Sequence, residues 1–171
     1  MAITEGKKAP PFSLLGSDKK KHTLKDYQGK TIILFFYPKD NTSGCTKEAC
    51  GLRDNYKKLT KQNIVVLGVS RDDIPSHESF IKNFKLPYVL LSDPETKTMK
   101  KYGAWGEKIM YGKKVTGTIR STCLIGPDGK VIKHWTKVKD AGEHPAEIMA
   151  FLEKSKSKAK PTRSKALPAR R

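Results

Sequence analysis

Six consecutive apolar residues, Ile32-Ile33-Leu34-Phe35-Phe36-Tyr37, constrain this chain more than any other stretch. A β-branched and aromatic run without polar alternation reads as a strand buried on both faces, the middle of a sheet covered by helices. The next thirteen residues are Pro38-Lys39-Asp40-Asn41-Thr42-Ser43-Gly44-Cys45-Thr46-Lys47-Glu48-Ala49-Cys50. Their Pro, Asp, Asn, Ser and Gly turn the chain, Thr42 or Ser43 can serve as an N-cap, and a helix follows toward Leu59. Cys45 therefore falls in the first helical turn. There the unpaired backbone N–H groups and the positive end of the helix dipole favour a thiolate over a thiol.

Cys50 lies five residues further on. Helical positions five apart have Cα atoms about 8.6 Å apart and directions about 140° apart. A disulfide rarely spans more than about 7 Å between Cα atoms, so Cys45 and Cys50 can pair only if the helix unwinds locally. Gly51 makes unwinding easier, weakening a helix by up to about 1 kcal/mol relative to Ala. Metal ligation is the competing reading of the pair. The Cys-x4-Cys spacing is not that of a zinc site, and none of the four histidines, His22, His77, His134 and His144, stands at ligand spacing to it. No metal is expected. Three cysteines, Cys45, Cys50 and Cys123, cannot complete a set of internal disulfides, which argues for thiol chemistry in a reducing compartment.

Along the rest of the chain, Phe12-Leu15 and His22-Leu24 read as a short hairpin, and Asn63-Ser70 as a second buried strand reached by a β-α-β crossover. Ile74-Phe84 reads as a helix, Tyr88-Leu91 as a strand, and Ser92-Asp93-Pro94 as the opening of a further helix ended by Gly103. Thr118-Ile125 and Lys130-Trp135 flank the turn Gly126-Pro127-Asp128-Gly129 as a hairpin, and a last helix covers about Pro145 to Lys154. Alternating strands and helices define an α/β domain. At 171 residues and 36% hydrophobic content, one domain with a substantial core is expected over residues 1–153.

The loop resembles the active-site signature of peroxiredoxins, Pro-x-x-x-Thr-x-x-Cys, through Pro38, Thr42 and Cys45. The offset to Cys50 is similar to that of the bacterioferritin-comigratory-protein, or PrxQ, subfamily. Further similar residues are Gly68-Val69-Ser70, Ser76-His77, Phe80, Leu86-Pro87, Leu91-Ser92-Asp93, Tyr102-Gly103 and Arg120-Ser121-Thr122, so the resemblance spans about residues 5–153. Ser43 departs from it, standing where the subfamily usually has a second proline. The resemblance implies a thioredoxin-like fold of peroxiredoxin type, a mixed sheet flanked by helices with an N-terminal hairpin extension.

It also implies the chemistry. Cys45 is the peroxidatic nucleophile and Cys50 the resolving cysteine, joined after turnover in an intramolecular disulfide recycled by thioredoxin or a similar dithiol. Thr42 and the backbone N–H groups of Gly44 and Cys45 hold the peroxide, Pro38 shields the site, Arg120 sits against the sulfur, and Glu48 orients Arg120. Hydrogen peroxide and organic hydroperoxides are the implied substrates, with no cofactor. Cys123 reads as core and His77 as a hydrogen-bonding residue at a helix start. Trp105 and Trp135 read as packing or rim residues.

The net charge of +18 is uneven: Lys154–Arg171 holds eight of the 35 Lys and Arg and none of the 17 acids. This stretch reads as a disordered basic tail, with nonspecific nucleic-acid attachment as its sharper reading. No window approaches the roughly 18 apolar residues of a membrane span, and Met1-Gly6 lacks a signal-peptide core. A monomer in the cytoplasm is expected, with no membrane partner and with nuclear or nucleoid association open to the tail. The rival functions are a one-cysteine peroxidase with a nucleic-acid-associated tail and a thiol-disulfide exchange protein, the latter lacking its usual Cys-x-x-Cys.

Overall fold

The computed structural model describes residues 3–166, with side chains through residue 155. The elements are β1 (Ser13–Gly16), β2 (Lys21–Thr23), β3 (Thr31–Phe36), α1 (Ser43–Asp54), α2 (Tyr56–Lys61), β4 (Ile64–Ser70), α3 (Ile74–Phe84) and β5 (Val89–Ser92). They continue with α4 (Lys97–Lys101), β6 (Trp105–Met110), β7 (Lys113–Thr118), β8 (Ser121–Ile125), β9 (Val131–Trp135) and α5 (His144–Ala166). Seven strands form one sheet in the order β2-β1-β5-β4-β3-β8-β9, and β6 and β7 pair separately. This is a mixed sheet with helices on its faces, the arrangement that the resemblance implies.

β3 lies inside, parallel to β4 and antiparallel to β8. Its side chains alternate between two cores. Ile32, Leu34 and Phe36 pack with Leu67, Val69, Tyr102 and Cys123 on one face. Ile33, Phe35 and Tyr37 pack with Cys45, Ala49, Leu52, Phe80 and Ile148 on the other. A strand facing two cores has no water-facing side, which is why the run carries no polar residue.

The structure departs from the sequence expectations at several elements. The helix foreseen from Ser43 toward Leu59 is two helices, broken at Asn55, whose backbone N–H donates to the Leu52 carbonyl at 3.2 Å and whose side chain donates to the Gly51 carbonyl at 2.8 Å. An Asn that turns back on the last carbonyls ends a helix. The helix expected to open at Ser92-Asp93-Pro94 begins only at Lys97, although Asp93 still holds its N-terminal end by accepting from Met99 N–H at 2.8 Å. The β6–β7 hairpin was not foreseen from the sequence. Finally, α5 runs to Ala166, so the backbone is helical over part of the stretch expected to be disordered from residue 154; residues 167–171 and the side chains beyond 155 lie outside the described residues.

Candidate active site

The loop between β3 and α1 carries the site. Pro38 is half-buried where the sheet ladder stops, consistent with a residue that has no N–H to give. Asp40, next but one, is buried and tied from below: Tyr37 donates its hydroxyl to Oδ1 at 2.6 Å, Ser76 donates to Oδ2 at 2.9 Å, and His77 Nδ1 lies 2.7 Å from Oδ2. His77 Nε2 donates to the Leu91 carbonyl at 2.9 Å, so the Nδ1–Asp40 contact holds a single proton between its two ends. The Asp40 N–H donates to Asp72 at 2.8 Å. Asp40, Asp72 and His77 bring ligand-type atoms within 4.8 Å of one another. Hydrogen bonds already occupy those atoms, so a cation there would have to break them. His77 is fully buried, a clamp beneath the loop as well as the helix-start residue foreseen.

α1 starts from Thr42 with Ser43, Gly44 and Cys45 as its first three residues. Its first i→i−4 bond is Thr46 N–H to the Thr42 carbonyl at 2.8 Å, which leaves the N–H groups of Ser43, Gly44 and Cys45 free of helix partners. Thr42 caps by position only. Its hydroxyl donates to the Lys39 carbonyl at 2.8 Å and makes no cap bond, so it braces the loop while keeping lone pairs open to a donor on a ligand. Cys45 is 1% exposed, on the sheet face opposite Cys123.

Arg120 joins these parts. Expected within a strand from Thr118, it lies just before β8, free of the ladder on either side, with its carbonyl accepting from Val138 N–H at 2.7 Å. Its Nη2 reaches Cys45 Sγ at 3.2 Å and its Nη1 reaches Glu48 Oε1 at 2.7 Å. Gly44 provides the room, since a Cβ there would stand 3.2 Å from Arg120 Nη2. Glu48 is fully buried, and its Oε2 has no partner among the described residues. Burial pushes the Glu48 carboxyl up to about 7 against the opposing pull of Arg120.

Cys50 is half-buried on the same helix, and all three cysteines are unpaired. Burial raises its thiol above the ordinary range, opposed by Arg53. In an intact helix the five-residue offset keeps the two sulfurs' backbones too far apart for a bond. Cys123 sits in the opposite core, its thiol pushed up to about 12 by burial and then by Glu5.

One polar residue at the site had no sequence signal. Lys108, on the unforeseen hairpin, donates from Nζ to the Thr118 carbonyl at 2.7 Å, two residues before Arg120. Burial and the Arg120 charge push its amine down, with Cys45 acting in the opposite direction.

Residues 5–134 match the model of the AhpC/TSA family. The chain belongs to that family, in its Bcp/PrxQ branch. A putative peroxiredoxin Bcp of Coxiella burnetii is 45% identical over 152 residues, 89% of this chain and 100% of the relative. Peroxiredoxin Bcp of Bacillus subtilis is 42% identical, covering 89% and 96%. Among solved structures, a mutant PrxQ of Xylella fastidiosa superposes with a TM-score of 0.83 at 33% identity, covering 90% of this chain and 97% of that one. Bacterioferritin comigratory protein of Xanthomonas campestris, solved with trapped intermediate and ligand complexes bearing on alkyl peroxide reduction, matches with a TM-score of 0.80 at 32% identity over 89% and 99%.

Proposed function

We propose that this thiol-dependent peroxidase works through Cys45 as the attacking sulfur and Cys50 as the resolving one. The observation that carries the assignment is the Arg120 fork, one nitrogen 3.2 Å from the Cys45 sulfur and the other 2.7 Å from Glu48. A guanidinium so placed stabilises the thiolate and the charge that moves onto the departing oxygen, and the N–H groups of Gly44 and Cys45, free of helix partners, are available to donate to the bound peroxide. Cys45 attacks the terminal peroxide oxygen. An S–O bond forms as the O–O bond breaks, and the leaving oxygen takes a proton to depart as water or alcohol. The Cys50 thiolate then attacks the sulfenic sulfur, expelling water and leaving the disulfide. A dithiol protein of thioredoxin type supplies two electrons to restore both thiols. Thr42 accepts a hydrogen bond from the peroxide, Pro38 shields the site, and Glu48 aims Arg120. The alkyl peroxide chemistry of the Xanthomonas relative supports organic hydroperoxides beside hydrogen peroxide as substrates. Residues 1–153 form the catalytic domain, acting as a cytoplasmic monomer, and the basic stretch from Lys154 can hold a polyanion such as nucleic acid.

The test is the mass of the protein after one equivalent of peroxide, with peptide mapping. A loss of two hydrogens and a Cys45–Cys50 peptide are expected. Cys45→Ser should consume no peroxide, and Cys50→Ser should turn over once, stop at the sulfenic acid and fail to recycle with thioredoxin. A Cys50→Ser enzyme that cycles like the wild type removes the resolving assignment.

A further inference from the structure

The β6–β7 hairpin stands outside the seven-stranded sheet and is fixed at its base, where Ile119 N–H donates to the Ala104 carbonyl at 2.7 Å and Arg71 lies over the Trp105 ring at 5.1 Å. Its apex is Tyr111-Gly112, both at positive φ, +53° and +78°. Two such residues make the turn that Asn-Gly usually fills, and a bulky aromatic there is a conformational outlier. Tyr111 is nonetheless 96% exposed, with Ile109 at 66% and Met110 at 44% beside it. Of the five large hydrophobic residues exposed among the described ones, three are consecutive at this tip. Lys113 stands across from Met110 and Lys114 across from Ile109, while Glu107 near the base is the hairpin's only acid.

We propose that this tip docks the enzyme on an anionic lipid surface, with Ile109, Met110 and Tyr111 entering the headgroup boundary and Lys113 and Lys114 pairing with lipid phosphates. A convex point of apolar side chains ringed by cations suits a deformable anionic layer, and a tyrosine places its ring in the apolar part with its hydroxyl in the headgroups. A second copy is a poor occupant, because two cationic tips of a chain carrying +18 repel. Docking needs no spanning helix, and no described helix is long and apolar enough to be one. The hairpin base leads through Lys108 and Thr118 to Arg120, so a tip held in lipid keeps the site near hydroperoxides of acyl chains. That last step rests on the peroxidase reading; the docking does not.

The test is flotation of the full chain with vesicles of phosphatidylcholine alone and with one-third phosphatidylglycerol, at physiological salt. Binding is expected only to the anionic vesicles. It should fall at least tenfold in the triple variant Ile109→Ser, Met110→Ser, Tyr111→Asn, and roughly fivefold for each of Lys113→Ala and Lys114→Ala. Hydrogen peroxide consumption in buffer should be unchanged in all of them, while reduction of phospholipid hydroperoxides in anionic vesicles falls with binding. A triple variant that floats like the wild type places the binding in dispersed charge or the basic tail and overturns the proposal, as does a wild type that stays with the buffer. A wild type that floats but consumes no hydrogen peroxide leaves the docking standing and removes the peroxidase reading.

Discussion

Arg120 gives one nitrogen to a sulfur and another to a carboxylate, a pairing that requires a planar fork. A lysine has one nitrogen and cannot span the two. Arg120→Lys is therefore expected to slow peroxide oxidation of Cys45 roughly 100-fold, read as the second-order rate by stopped flow; a loss under threefold would make the fork irrelevant. Glu48 gives the site a pH-dependent stability. Its folded value of about 7 lies above the ordinary 4.5, so between those values the folded chain holds a proton that the unfolded chain has released. Stability should fall as pH rises through that window, by on the order of 3 kcal/mol. Glu48→Gln should flatten that part of the urea-unfolding profile, and an unchanged slope would assign the decline to another group. At this scale Pro38, Thr42 and Cys45 stood out through the motif they share, whereas Arg120, far off in sequence, was singled out only by the family resemblance. The direction of the Thr42 hydroxyl and the Asp40–His77 clamp were not, since each depends on which carbonyl or ring the fold brings near. His77 lies 37 residues from Asp40, and nothing local joins them.

Helix α1 shows how packing can reverse a propensity argument. From sequence, Gly51 reads as a weak point that eases melting, and in an isolated helix Gly51→Ala would stabilise by up to about 1 kcal/mol. In the fold a Cβ at Gly51 would stand 2.5 Å from Cγ of Pro145, at the start of α5. The clash involves a rigid ring and outweighs propensity, so Gly51→Ala is expected to destabilise by about 1–3 kcal/mol in urea titration. A gain in stability would show that α5 gives way freely. The β6–β7 hairpin is the element that sequence reasoning missed. Gly106, Gly117 and the lysines blur its alternation, and Tyr-Gly replaces the Asn-Gly that marks a hairpin turn. The inner strands β3, β4 and β5 were legible because burial on two faces leaves continuous apolar runs.

At the scale of the molecule, the sheet keeps two kinds of sulfur apart. Cys123 packs in one core and Cys45 in the other, so exchange between them is blocked by β3 and its neighbours. Cys45 and Cys50 share a helix, and joining them on the proposed cycle opens α1. Opening breaks the Tyr88 hydroxyl bond to the Ala49 carbonyl, 2.6 Å long, and frees the contact of Gly51 with Pro145. Hydrogen exchange of the disulfide form should therefore lose protection across α1 while β3, β4 and β8 keep theirs. Full protection of α1 in a verified disulfide form would mean that the bond forms by some other route. The clamp on Asp40 governs the return journey once the disulfide is reduced. Its partners Tyr37, Ser76 and His77 belong to the end of the central strand and to α3, none of them to α1. Asp40 thus stays pinned two residues ahead of Thr42 while the turns beyond come apart. Starting a helix from coil is the slow, unfavourable event, and lengthening one is not. The first turn of α1 must still form anew, but the chain entering it is held in place at Asp40, so the reduced segment has less backbone freedom to lose as it rewinds.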